Sequence, residues 1–174
     1  MDWLEIKEFL LDSTKFVIAV IFFLFLFVYV VSVTQVVGSS MSPTLENQEV
    51  LILNKANYNF FDVKRGDIIS LSYEDTKYLI KRVIGMPGDY VSIKDNNLYI
   101  NGKLYKEEYI KNKETEDFKL EDIGYKTIPK DKYLVMGDNR SNSLDSREIG
   151  LIDKKDIIGK IALRIWPLNK IKVF

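Results

Sequence analysis

The chain has 174 residues and equal numbers of basic and acidic side chains, 25 of each, so it sets up no net positive field to hold nucleic acid, and it carries no base-reading motif. It has no cysteine and no histidine, which excludes a Ser-His-Asp triad, a cysteine nucleophile, a disulfide and a zinc site of the His/Cys kind. If the chain catalyses hydrolysis, its base must be Lys, Asp, Glu or Tyr.

The leader MDWLEIKEFLLDSTK, residues 1–15, holds four acids against two lysines. From Phe16 the sequence reads FVIAVIFFLFLFVYVVSVTQVV without a charge until Glu46, and about 22 residues of it could cross a bilayer as a helix. A single transmembrane helix over residues 16–35 is therefore predicted. A cleaved secretory signal would show a shorter apolar region, a basic leader and an Ala-x-Ala-like exit. Lys7 and Lys15 before the run, against Lys55 well after it, place residues 1–15 in the cytoplasm and residues 36–174 outside it, a type II arrangement. The stretch VVGSSMSPTL, Val36 to Leu45, follows at once, so Ser39 and Ser40 sit within roughly a turn or two of the bilayer surface.

After Val50 the chain shows short apolar segments separated by turn signals, a mostly β pattern that predicts a sheet or barrel-like domain. The strand candidates are VLILN, DIISLSY, YLIKRVIGM, YVSIK, LYI, KYLVM and DIIGKIALRI. Asn101-Gly102 between LYI and KLY is the strongest turn signature, because a two-residue hairpin turn needs positive φ. Residues 90–125 thus form an inserted β meander and charged loop. Within it, Lys106 to Asp122 mixes both charge signs densely, reads as a solvated loop or exposed edge, and is given no function. Arg65-Gly66-Asp67 reads as a turn entering a strand rather than as an adhesion tripeptide.

In YLIKRVIGM, strand alternation puts Leu79, Lys81 and Val83 on one face and Ile80, Arg82 and Ile84 on the other. Lys81 is a cation on an apolar row. Either its amine snorkels to water at a sheet edge, or burial penalises the charged form and turns it into a base near neutral pH. The segment GDNRSNSLDSR, Gly137 to Arg147, is equally two-sided: a surface loop bonding its own backbone, or the hydrogen-bonded support of an active site.

Taken together, these residues resemble the type I signal peptidases, membrane-anchored serine proteases that remove signal peptides from exported proteins. The resemblance runs through Gly38-Ser39-Ser40-Met41-Ser42-Pro43-Thr44-Leu45, Arg65-Gly66-Asp67-Ile68, Lys81-Arg82-Val83-Ile84-Gly85-Met86-Pro87-Gly88-Asp89, and Gly137-Asp138-Asn139-Arg140 to Asp145-Ser146-Arg147. The terminal IIGKIALRIWPL looks like the family's last strand. The resemblance implies Ser40 as nucleophile and Lys81 as general base, with Ser143 hydrogen-bonding the amine, Asp145 pairing with Arg147, and Asp138 pairing with Arg82. It implies shallow substrate pockets at Val36, Met41, Leu45, Leu51, Leu79 and Ile80, suited to small residues in an Ala-x-Ala pattern. Some members carry a serine, an oxyanion-hole donor, where this chain has Gly38, and many have Asp where this chain has Ser141.

The partners implied are preprotein signal peptides and the lipid bilayer of a bacterial plasma membrane. The chain is expected to act as a monomer, with no metal or organic cofactor. The self-cleaving repressors of the SOS response share a Ser-Lys dyad, but they lack a membrane segment, and no Ala-Gly bond occurs in this chain. The reading from another class is a catalytically silent, membrane-anchored β domain that binds exported chains.

Overall fold

The computed structural model describes residues 3–56, 62–74, 77–110 and 114–174, apart from the side chains at 26 and 28. Its first element is α1 (Trp3–Val30), which takes in most of the leader and the first part of the apolar run. The charge-free part of α1, Phe16 to Val30, is about 22 Å long at 1.5 Å per residue, against roughly 30 Å of hydrocarbon. Among the described residues no helix is long and apolar enough to cross a membrane; α1 ends at Val30, short of the expected end of the span at residue 35.

The physical reason lies in the last part of that span. Val31–Gln35, VSVTQ, has three β-branched residues in five and forms β1, pairing antiparallel with β2 (Val50–Asn54) from Val31 opposite Asn54 to Gln35 opposite Val50. The helix stops where the pairing starts: the Lys55 N–H donates to the Val30 carbonyl at 2.8 Å. The charge-free run is thus divided between a helix and an edge strand, the strand part carrying Ser32, Thr34 and Gln35.

The remaining strands are β3 (Ile68–Tyr73), β4 (Lys77–Gly85), β5 (Val91–Lys94), β6 (Asn97–Ile100), β7 (Lys103–Tyr105), β8 (Phe118–Lys119), β9 (Lys132–Met136), β10 (Ile152–Asp153), β11 (Ile157–Trp166) and β12 (Lys172–Val173). The larger sheet is antiparallel in the order β1-β2-β11-β3-β4-β9-β10, with β12 on β11. Among the described residues its path has two ends and does not close, so of the sheet or barrel-like forms expected it is the sheet. Register shifts between Ile157 and Gly159, Ile161 and Leu163, and Arg164 and Trp166 bend β11 so that one long strand serves both β2 and β3.

β4 lies between β3 and β9. Its first residues are exposed and the five from Lys81 to Gly85 are buried. The buried stretch thus begins at Lys81, which is out of reach of bulk water.

The insert is a second sheet in the order β7-β6-β5-β8. Its two hairpins turn at Asp95-Asn96, with φ of 49° and 62°, and at Asn101-Gly102, with φ of 52° and 76°, the left-handed pairs that a two-residue turn requires. The charged segment is less solvated than expected. It contributes β8, and Ile110, Thr115, Phe118 and Leu120 within it are buried.

Val91, Ile93, Leu98, Phe118 and Leu120 of the insert share one apolar cluster with Ile84, Leu134 and Met136 of the larger sheet. Leu134→Ala, at a side chain with no exposed surface, is expected to cost about 2–4 kcal/mol. Urea unfolding should show both sheets lost in a single, earlier transition. Independent melting of the insert would contradict the shared core.

Candidate functional site

The Ser40 turn is built by two opposing demands. Beyond β1, the Val36 N–H donates to the Glu49 carbonyl at 2.8 Å and the Gln48 N–H returns a bond to the Val36 carbonyl at 2.9 Å. Gly38, at φ 91°, then turns the chain away, its N–H donating to Asn47 Oδ1 at 3.0 Å. Met41 and Leu45 are buried in the cluster that also holds Val36, Leu51, Leu53, Ile68 and Ile161, and the Leu45 N–H donates to the Met41 carbonyl at 2.9 Å. Anchoring both residues leaves Ser40 half-buried at the surface of the turn.

Lys81 comes to Ser40 from 41 residues away, its Nζ 2.7 Å from Ser40 Oγ. The lysine is only 2 % exposed. Burial pushes its pKa from 10.5 down to about 8; Asp145 and Asp138 act upward and Arg147 adds to the lowering. At that value about one amine in ten is neutral at pH 7, several hundred times more than for an ordinary lysine. A neutral amine at this distance can accept the hydroxyl proton.

The Gly137–Arg147 segment wraps this pair. Asn139 donates twice to the serine turn, from its backbone N–H to the Ser40 carbonyl at 3.0 Å and from Nδ2 to the Ser39 carbonyl at 3.1 Å. Asn142 Nδ2 reaches Ser39 Oγ at 3.1 Å. Gly137 packs so closely that a Cβ there would lie 2.4 Å from the Ser40 carbonyl oxygen.

Three arginines hold the segment in place. Arg82 grips Asp138 through Nε at 2.8 Å and Nη2 at 2.7 Å, and also donates to the Gly66 carbonyl at 2.9 Å. Arg147 grips Asp145 in the same bidentate way and donates to the Arg140 carbonyl. Arg140 donates from Nε to the Gly137 carbonyl at 3.1 Å and pairs with Glu107. Burial would push the Asp145 carboxyl up, but the Arg147 guanidinium, the Gly137 N–H at 3.0 Å and the nearby Ser143 hydroxyl hold it below its ordinary value. Asp145 also caps the short helix α2 (Ser146–Ile149), accepting from the Arg147 N–H.

One expected contact is not formed. Ser143 Oγ is buried and makes no hydrogen bond. It packs against Gly137 and lies near Asp145 in a geometry short of a bond, so it does not hold the Lys81 amine here.

The six expected pocket residues separate by depth. Val36, Met41, Leu45 and Leu51 are core side chains, Leu45 and Leu51 with 0 % exposure; they form a floor, and only Leu79 and Ile80 on β4 keep appreciable surface. Ile80 packs on the Met41 cluster and Leu79 on the neighbouring one around Val83 and Ile69. Cavities of about 470 and 720 Å³ flank the site without including Ser40 or Lys81, the first bordered by Arg82 and Tyr109, the second by Ser143 and Arg147.

Asn139, Asn142, Arg140 and Glu107 are site neighbours that the sequence did not single out. Asn139 and Arg140 stood in the matched Gly137–Arg140 motif without a role, Asn142 stood in a polar stretch, and Glu107 lay in a segment read as solvated. Among the described residues no cluster of His, Cys, Asp and Glu is placed to hold a metal ion.

A serine hydroxyl facing a desolvated amine, carried on an antiparallel sheet, has the chemical character of a serine hydrolase that works without histidine. Comparison with known proteins agrees with that class. Residues 7–166 match the family described as signal peptidase, peptidase S26. The chain is 49% identical over 142 residues to signal peptidase I P of Bacillus subtilis subsp. natto, covering 78% of this chain and 77% of that protein. It is 38% identical over 157 residues to signal peptidase IB of Staphylococcus aureus, covering 83% and 82%. The crystal structure of a signal peptidase I from Enterococcus faecalis V583 superposes with a TM-score of 0.54 at 34% identity, covering 58% of this chain and 97% of that one. The chain belongs to the signal peptidase family S26 and is a hydrolase of the serine endopeptidase type.

Proposed function

We propose that the protein cleaves signal peptides from exported preproteins after small residues in an Ala-x-Ala-like pattern, with Ser40 as nucleophile and Lys81 as general base. The observation that carries this reading is the 2.7 Å contact between Ser40 Oγ and an Nζ whose pKa is about 8. Neutral Lys81 takes the Ser40 proton as Oγ attacks the scissile carbonyl, then delivers it to the leaving amine as the peptide C–N bond breaks and an ester forms. Water, losing a proton to the same amine, attacks the ester; the signal peptide leaves with a free carboxylate and Ser40 recovers its hydrogen. The Ser40 N–H would stabilise the oxyanion, an interaction commonly worth about 3 kcal/mol. Gly38 has no hydroxyl to add a second donor.

The substrate binds extended, its backbone beside the Val36 and Leu79 segments. Ile80 faces its small side chains above the Met41–Leu45–Leu51 floor, which leaves little depth for a large residue, and Leu79 lies on the other face of β4. The exposed apolar side chains of α1, such as Phe16, Ile18 and Phe23, suit a lipid environment and support attachment to the plasma membrane with the β domain on its outer side. Every residue used in the mechanism comes from one chain, which supports action as a monomer.

The experiment incubates detergent-solubilised full-length protein with a preprotein carrying Ala-x-Ala, with the same preprotein carrying Phe at the residue before the cut, and with Ser40→Ala in place of the wild type. Cleavage is expected only in the first combination. Cleavage by Ser40→Ala at the wild-type rate would favour a silent β domain with a contaminating protease, and equal cleavage of the Phe substrate would remove the specificity.

A further inference from the structure

The insert reaches the site by a route that no motif of the sequence marks. After β7 the chain passes beneath the Gly137–Arg140 loop, and two of its residues contact the two arginines that hold that loop. Glu107 accepts from Arg140 through both carboxylate oxygens, one at 3.1 Å; the two side chains are 8 % and 1 % exposed. Tyr109 lays its ring against the Arg82 guanidinium, 4.0 Å from centroid to carbon, and donates its hydroxyl to Glu107 Oε1 at 2.6 Å. Burial, with Glu107 beside it, pushes the Tyr109 phenol well above its ordinary range, so it remains a donor at any working pH.

These contacts form one chain of bonds ending at the serine. Glu107 fixes Arg140, whose Nε holds the Gly137 carbonyl. Tyr109 presses on Arg82, which holds Asp138. Between Asp138 and Arg140 lies Asn139, whose N–H holds the Ser40 carbonyl at 3.0 Å. The loop residue that touches the serine turn is thus flanked by Arg140, whose partner Glu107 the insert supplies, and by Asp138, whose partner Arg82 on β4 is backed by the insert's Tyr109. A buried guanidinium without a carboxylate partner would have to move toward water, and the Gly137–Asn139 backbone bonded to it would follow.

We propose that Glu107 and Tyr109 are positioning residues for the reaction: the insert segment 106–110 locks the Gly137–Arg140 loop, and through Asn139 sets the Ser40 hydroxyl against the Lys81 amine. The inference rests on the proposed Ser40–Lys81 chemistry. It assigns a task to part of the charged segment that composition marks only as solvated. Misplacing reacting atoms by a fraction of an ångström lowers turnover without weakening substrate binding, because neither residue belongs to the Val36 and Leu79 segments beside which the peptide is proposed to lie.

The test measures kcat and KM of the full chain in detergent for a peptide bearing the Ala-x-Ala site, with Glu107→Gln, Tyr109→Phe, Tyr109→Leu and Ser40→Ala, each checked for folding by thermal unfolding. Tyr109→Leu, which removes the ring over Arg82, and Glu107→Gln, which removes the charge from Arg140, should each lower kcat by about tenfold with KM unchanged within about twofold. Tyr109→Phe keeps the ring and should stay within about threefold of wild type. Wild-type kcat in folded Tyr109→Leu and Glu107→Gln, with Ser40→Ala inactive, overturns the positioning role and leaves the hydrolase reading standing. If Tyr109→Leu does not fold, Glu107→Gln decides alone: wild-type kcat there overturns the role, and a loss confined to kcat upholds it. Full activity of Ser40→Ala instead overturns the reading beneath it.

Discussion

Lys81→Met is expected to abolish turnover and yet to stabilise the fold at neutral pH. Methionine keeps the volume and apolar character of the lysine stem on β4 but cannot accept the Ser40 proton. Losing a dyad member typically removes at least about 10³-fold in kcat. The stability gain follows from linkage. The amine is held near pKa 8 in the folded chain against about 10.4 when unfolded, so below pH 8 the native state carries a protonated, desolvated ammonium that costs about 3 kcal/mol. Between about pH 8 and 10.4 the unfolded chain binds more protons than the native one, and wild-type stability rises with pH across that window. Urea unfolding of wild type and Lys81→Met at pH 7 and pH 10 reads this directly. Their difference should be largest at pH 7 and should shrink by pH 10. The wild-type rate should rise about tenfold per pH unit up to an inflection near 8, because only the neutral amine is competent. A rate flat from pH 6 to 9, or equal pH dependence of stability in both proteins, would show that this amine is an ordinary charged lysine.

The same residue shows how far the sequence could be read. Alternation within YLIKRVIGM put Lys81 on an apolar row, but a lysine on such a row can also snorkel. Its fate was decided by distant segments, the Ser40 turn 41 residues before it and the Gly137–Arg147 segment reached only after the whole insert. The strands with strong local patterns, VLILN, KYLVM and DIIGKIALRI, are where periodicity put them within a residue at each end. The failures have non-local causes. Val31–Gln35 continues the charge-free run with Ser, Thr and Gln among its five residues, and its pairing with β2, at separations of 15 to 23 residues, makes it a strand. The two-residue β8 and β10 are too short to carry a period, and exist because β5 and β9 offer them an edge. Glu107 and Arg140 look like surface charges in a local window, and become a buried pair only when the insert folds back on the loop. Local chemistry in the sequence was readable, whereas burial, which depends on distant segments, was not.

Gly137→Ala should damage the site more than its single methyl group suggests. A Cβ at this position would stand 2.2 Å from Ser143 Oγ, 2.6 Å from Ser143 Cβ and 2.4 Å from the Ser40 carbonyl oxygen. Ser143 is a side chain, but the Ser40 carbonyl is backbone, and it is the acceptor of the Asn139 N–H. To make room, either the serine turn or the Gly137–Arg140 loop must withdraw by most of an ångström, breaking that bond and opening the 2.7 Å Ser40–Lys81 contact. A displacement of that size at reacting atoms costs about 10²-fold in kcat, with overpacking of about 1–3 kcal/mol in stability. Two comparisons separate crowding from a general effect of replacing glycine. Gly38→Ala, at φ 91° but with nothing within 4 Å of its Cβ, pays about 1 kcal/mol of left-handed strain and should retain most of its turnover. The double variant Gly137→Ala with Ser143→Gly removes two of the three close contacts and leaves the one to the Ser40 carbonyl. It should recover stability while staying slow. Recovery of the rate in that double variant would place the damage in Ser143 rather than in the position of the nucleophile, and wild-type turnover in Gly137→Ala alone would mean that the serine turn can yield without cost to the reaction.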